Sequence, residues 1–160
     1  MFKHILMPTD GSEHSERAVE RGIELAKLCG AKITGIHVMQ DYGMMMGPEG
    51  LLPAEMDGRM EERERERAES FLEFVKKMAA TAGVSCETVI AKGRPYDAIV
   101  DAANEHGCDL IVMTSRYRKG LVSLIMGSEA SRVLHRASIP VLTFRALMSA
   151  DHPDQAPPQA

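Results

Sequence analysis

The residues best placed to do chemistry lie in one stretch, DLIVMTSRYRKGLVSLIMGSEASRVLHRASIPVLTF, from Asp109 to Phe144. Gly127-Ser128 stands where a helix should begin, with Ser128 as its N-cap, and a helix start offers unpaired N–H groups and a positive dipole end to an anion. Upstream, Arg116, Arg118 and Lys119 form a basic loop that could add cationic contacts to a phosphate. Two features pull the other way. Exposed charges are mostly just solvated, and Glu129 in the first helical turn would compete for the same N–H groups.

Other chemistries find less support. The histidines at 4, 14, 37, 106, 135 and 152 never fall at metal-ligand spacing with one another or with a cysteine, so no metal site is expected. The methionines at 39, 44, 45, 46, 56 and 60 read as fillers of irregular gaps rather than as soft metal ligands. No serine sits in a G-x-S-x-G elbow, no cysteine has an activating partner nearby, and no G-x-x-x-x-G-K-[ST] loop occurs. Asp10 is the single candidate for orienting a water, so no catalytic residue is assigned and the chain reads as a non-enzyme.

The elements that must position these residues follow from periodicity. Leu110 to Met113 is an apolar run too short for a helix and typical of a strand buried on both faces. With the helix after Gly127 and a last strand from Ile139 to Phe144 it makes a βαβ unit, whose loop lies at the carboxyl edge of a parallel sheet. Earlier in the chain, His4 to Met7 is strand one, ended by Pro8 and the Asp10-Gly11 turn, and Ser12 caps a helix that stops at Gly30. Strand two runs from Lys32 to Val38. The Gly-, Met- and Pro-rich residues 39 to 53 read as a loop.

A long helix follows, whose EERERER segment should be solvated with Glu61 beside Arg65 and Glu64 beside Arg67. Its inner stripe is Ala68, Phe71, Leu72, Val75, Met78 and Ala79. Val84 to Ala91 is strand three, and Pro95 opens a helix with Ile99, Val100 and Ala103 inward, stopped by Gly107. Strands alternating with helices predict an α/β fold: a single doubly wound domain over residues 1–145, a five-stranded parallel sheet with helices on both faces. Residues 146–160, poor in large apolar groups, read as a disordered tail.

The totals set the remaining bounds. A chain of 160 residues fits one domain that buries roughly 70% of its unfolded surface. A net charge of -4 argues against nucleic acid as a partner. Cys29, Cys86 and Cys108 are odd in number and widely spaced, which points to a reducing cytoplasm rather than a disulfide framework. The opening MFKHILMPTDG resembles neither a signal peptide nor a membrane span.

The segments MPTDGSEHSERAVERGIELA, GRPYDAIVDAA, DLIVM and GLVSLIMGSEASRVLHRASIPVLTF together resemble the universal stress protein family over nearly all of residues 1–145. The resemblance implies a cytoplasmic, usually dimeric stress-response protein in a family where many members bind ATP and others do not. ATP-binding members carry a glycine, two residues, a glycine, nine residues and then Gly-Ser or Gly-Thr after strand four. Here Gly127-Ser128 completes the motif, whereas Thr114 and Tyr117 stand at the two earlier glycines. A β-branched residue and a ring occupy places where a bare backbone would approach phosphate closely.

By the same resemblance the other adenine-nucleotide contacts would be Asp10, Val38 and Met113, joined by Arg116 from the basic loop. The expected function is a non-catalytic stress-response or adaptor protein acting as a homodimer without tight ATP binding. The alternative is an adenine-nucleotide-binding switch built on the Gly127-Ser128 helix start. Dimerisation is expected through Val141, Leu142, Thr143 and Phe144 of the last strand, with a further protein partner of unknown identity and no membrane.

Overall fold

A computed structural model describes residues 1–39, 54–115 and 128–145 of the chain. The expected loop over 40–53, the basic loop with Arg116, Tyr117, Arg118, Lys119 and Gly127, and the expected tail over 146–160 lie outside the described residues.

Among the described residues five strands and four helices alternate: β1 (His4–Pro8), α1 (Glu13–Cys29), β2 (Lys32–Met39), α2 (Ala54–Ala82), β3 (Cys86–Lys92), α3 (Pro95–Glu105), β4 (Leu110–Ser115), α4 (Ser128–Arg136) and β5 (Val141–Arg145). The strands form one parallel sheet in the order β3-β2-β1-β4-β5. The doubly wound α/β architecture is the one the alternating pattern predicts. Several boundaries differ: β2 keeps Met39, which is buried, β3 starts at Cys86 rather than Val84, and β5 starts after Pro140. Pro140 contributes its carbonyl, which accepts from the Ile111 N–H at 3.0 Å, while its ring nitrogen has nothing to donate. Helix α4 begins at Ser128 itself, one residue earlier than the expected N-cap assignment.

Local chemistry explains the ends of α1. The Ser12 hydroxyl accepts from the Ser15 N–H at 3.3 Å, Glu13 and Glu16 sit in the first turn, and Gly30 closes the helix in the left-handed region at φ 65°. Pro95 opens α3 as its fixed φ allows. On α2, Glu64 pairs with Arg67 at 3.2 Å as expected, but Glu61 pairs with Lys92 at 3.5 Å across to β3 instead of with Arg65.

Alternation along the strands splits the core into two layers. Ile5, Met7 and Ile33 face α1 and α2, meeting Val19, Ile23, Val75 and Ala79. Leu6, Ile36 and Ile111 face α3 and α4, meeting Ile99, Val100, Ala130 and Val133. Each such large side chain, fully buried, contributes about 1.5–3 kcal/mol. Helix α1 comes closest to the sheet at Gly22, where an added Cβ would lie 2.9 Å from the Met7 Cε. Among the described residues no helix is long and apolar enough to cross a membrane.

Candidate functional site

Strand β1 marks where the sheet changes direction of growth, because β2 and β3 lie on one side of it and β4 and β5 on the other. In open α/β sheets such a switch point leaves a crevice outside the carboxyl ends of the strands. Here the reason is visible in the hydrogen bonds. The Thr9 N–H donates to the Ile36 carbonyl on β2, and the His4 carbonyl accepts from the Asp109 N–H on the β4 side. Alternation therefore turns the nitrogen of Pro8 toward β4, and proline has no N–H to continue the ladder. Strand β1 accordingly pairs with β2 from His4 to Pro8 but with β4 only at Ile5 and Leu6.

The strands part there around a cleft of about 490 Å³. The end of β1 supplies Pro8, Thr9 and Asp10, and β2 supplies Ile36, His37 and Val38. Met113 and Thr114 come from β4, and Glu64, Arg67 and Phe71 come from α2. Pro95 and Ile99 come from α3, and Glu129 and Ala130 from the first turn of α4. Of the residues assigned from the sequence, Asp10, Val38 and Met113 are thus brought to one wall-and-floor arrangement. Ser128 begins α4, whose next residues Glu129 and Ala130 line the cleft, whereas Arg116 and Gly127 lie outside the described residues.

The turn after β1 is held by hydroxyl groups. The Thr9 Oγ1 lies 3.1 Å from the Ser15 Oγ and accepts from the Gly11 N–H at 3.2 Å. The Ser15 hydroxyl in turn donates to the Ser12 carbonyl at 2.9 Å, and the Asp10 Oδ1 accepts from the Ser12 N–H at 3.0 Å. Gly11 takes φ +71° with the Phe71 ring lying where its Cβ would be, 2.1 Å from the ring Cε1. Only glycine combines that φ with that approach.

Sequence reasoning missed His37. Its Nδ1 lies 2.8 Å from the Thr9 carbonyl, and its ring meets Phe71 edge-on with centroids 5.3 Å apart. A signal was present: a histidine near the carboxyl end of a strand buried on both faces needs polar partners, and the cleft is where they are found. Thr114, at the first motif glycine's place, lines the cleft and donates its hydroxyl proton to the Phe144 carbonyl at 3.3 Å. Glu129 lies 3.5 Å from Arg132 through Oε1, while its buried Oε2 has no hydrogen-bond partner among the described residues. The wall behind it is braced by the Arg132 guanidinium 5.1 Å above the Tyr96 ring and by Arg136 2.8 Å from Asp97.

Displaced pKa values occur at the opposite, amino edge of the sheet. Burial, reinforced by Lys32, lowers that of His4, whose Nε2 lies 2.7 Å from the Thr34 hydroxyl. Burial raises the Cys86 thiol and pushes Cys108 up to about 11. For Asp109 burial opposes ionisation, but the His4 and Lys3 N–H groups, at 3.0 and 2.8 Å, outweigh it and hold the carboxyl below its usual range. No group of three or more metal-ligating side chains is found among the described residues.

Comparison with known proteins agrees with this fold. A family model described as the universal stress protein family matches residues 1–145. Universal stress protein MJ0531 of Methanocaldococcus jannaschii is 36% identical over 146 residues, covering 91% of this chain and 83% of that protein. A universal stress protein of Thermus aquaticus is 34% identical over 145 residues, covering 91% of this chain and all of that one. The solved structure of M. jannaschii MJ0577 superposes with a TM-score of 0.77 at 27% identity, covering 93% of this chain and 99% of that one. Two more distant neighbours share the fold, both at a TM-score of 0.63. A universal stress protein in complex with cAMP is 24% identical and covers 90% of this chain and 97% of its own. One from Archaeoglobus fulgidus in complex with dAMP is 23% identical and covers 89% and 97%.

Proposed function

Because the chain belongs to the universal stress protein family over residues 1–145, we propose that it is a non-catalytic stress-response or adaptor protein. In this reading it acts in the cytoplasm as a homodimer and binds ATP weakly or not at all. One observation carries the reading: the β-branched Thr114 side chain occupies the cleft wall at the place of the first motif glycine. A triphosphate following the helix-start route would meet that side chain and then the Glu129 carboxylate. Calorimetric titration with ATP tests it. No heat is expected at micromolar ligand, and a dissociation constant in the low micromolar range would overturn it.

Support for the dimer comes from the sheet's edge. Among the described residues strand β5 has a neighbour on one side only, and Leu142 on it is 37% exposed. An edge of this kind needs a partner or a cover, and a second copy pairing along Val141, Leu142, Thr143 and Phe144 supplies one.

A second reading, adenine-nucleotide binding, is favoured by the cleft itself. Its volume of about 490 Å³ falls within the range of small-molecule sites, and it gathers Asp10, Val38 and Met113 at the switch point. Two proteins of the same fold are described in complex with cAMP and dAMP. Adenine nucleotide that stays with the protein through purification without added ligand, detected by mass spectrometry, is the result this reading expects.

A further inference from the structure

At the amino edge of the sheet, beneath the carboxyl end of α3, two polar side chains are buried against each other. His4 is 5% exposed and Thr34 0%, and the His4 Nε2 lies 2.7 Å from the Thr34 Oγ1. Alternation puts His4 on the face of β1 that carries Leu6, and Thr34 on the face of β2 that carries Ile36, both toward α3. The main chain of His106, the residue that caps α3, also hydrogen-bonds the ring in the sense that favours a proton on it. A carbonyl only accepts, so the neutral ring donates there, and Nε2 takes the proton of the Thr34 hydroxyl.

A second ring proton reverses that bond. Nε2 becomes a donor, and the Thr34 hydroxyl must turn its own hydrogen elsewhere in a core closed to water. Burial acts most strongly against charging the ring, Lys32 on β2 and His106 at the end of α3 add repulsion, and Glu87 on β3 and Asp109 ahead of β4 attract it.

The pairing decides which seam yields. Strand β1 is bonded to β2 from His4 to Pro8, but to β4 only at Ile5 and Leu6. Beyond those two residues the turn from α3 into β4 is joined to β1 through Asp109. Its N–H donates to the His4 carbonyl at 2.9 Å, and its carboxylate accepts from the His4 and Lys3 N–H groups at 3.0 and 2.8 Å. Lifting residues 106–109 carries His106 away and lets water reach the ring, while the longer β1–β2 seam stays closed.

We propose that His4 is an acid-operated latch: neutral, it holds β1, β2 and the end of α3 together, and charged, it releases the turn over residues 106–109 while the sheet stays paired. The device lies at the opposite end of the strands from the cleft and does not depend on what the cleft binds.

Residue-resolved amide hydrogen exchange of the full chain at pH 7.5 and pH 5.5 tests it. An opened ring with an ordinary pKa near 6.5 gains at most about ten-fold in population over that range, so protection of the Gly107, Cys108 and Asp109 amides should fall about three- to ten-fold. Their opening should be insensitive to about 1 M urea, whereas the Thr9 and Ile33 amides should stay better protected and respond more steeply to it. His4→Gln should abolish the pH dependence. Lys32→Gln, at an exposed position, keeps His4 and removes a repelling charge, so the fall should shrink about two-fold. The latch is overturned by the absence of any fall, or by equal protection and equal urea dependence at the turn and at Ile33, which is whole-domain unfolding. A fall that persists in His4→Gln, or is unchanged in Lys32→Gln, overturns it too.

Discussion

Replacing Gly11 by alanine tests whether the cleft's first turn is held as described. Two costs add. An L-residue at φ +71° carries left-handed strain of roughly 1–2 kcal/mol. The new methyl carbon also falls 2.1–2.3 Å from three atoms of the Phe71 ring, so the ring must leave its contact with His37 at an overpacking cost of roughly 1–3 kcal/mol. A total near 3 kcal/mol corresponds to a fall in melting temperature of roughly 6–12 °C for a domain of this size. The assay is urea denaturation followed by circular dichroism, for Gly11→Ala in the native background and in Phe71→Leu. With the ring gone only the strain should remain, so the cost should drop to roughly 1–2 kcal/mol. A cost below about 0.5 kcal/mol, or one equal in the two backgrounds, would refute the account of Gly11 as the residue that lets Phe71 close over the turn.

Three further outcomes follow from other parts of the fold. Burial lowers the pKa of His4, so as pH falls from 7 toward 5 the unfolded chain takes up a proton that the folded chain refuses, and stability should decline with pH in that window. His4→Gln should flatten that slope, and a slope identical to the native protein's would exclude His4 as its source. Cys108, buried with its pKa pushed up to about 11, has only about one thiol in a thousand ionised at pH 8. It should resist alkylation until the protein unfolds, as peptide mass mapping would reveal. Leu142→Glu on β5 should convert the proposed dimer to monomer in sedimentation at micromolar concentration, and an unmodified protein already monomeric there would exclude the edge-strand interface.

The fold was legible because its signals are local and repeated. Leu110 to Met113 is too short and too apolar for anything but a strand covered on both faces, and all four residues are buried. Ser12 and Gly30 bracket α1 by side-chain chemistry and backbone freedom that any sequence reader can see. What periodicity could not show was which distant side chains meet. Glu61 has Arg65 at helical spacing, yet it reaches Lys92 on another element because α2 lies along β3. The candidate site divides in the same way. Asp10, Val38 and Met113 could be assigned by resemblance and His37 was signalled by its place near the carboxyl end of a buried strand, whereas Phe71 enters the cleft only through packing of α2 against the sheet, which no local pattern encodes.

Pro8 has a consequence for how such a crevice is inherited or redesigned. Most binding sites are shaped by many side chains at once, whereas here the fork between two strands opens where one backbone hydrogen is missing. An ordinary residue at position 8, itself part of the cleft lining, would place an N–H on the β4 side of β1 where the ladder now stops. The opening is thus shaped by a backbone nitrogen as well as by the groups on its walls.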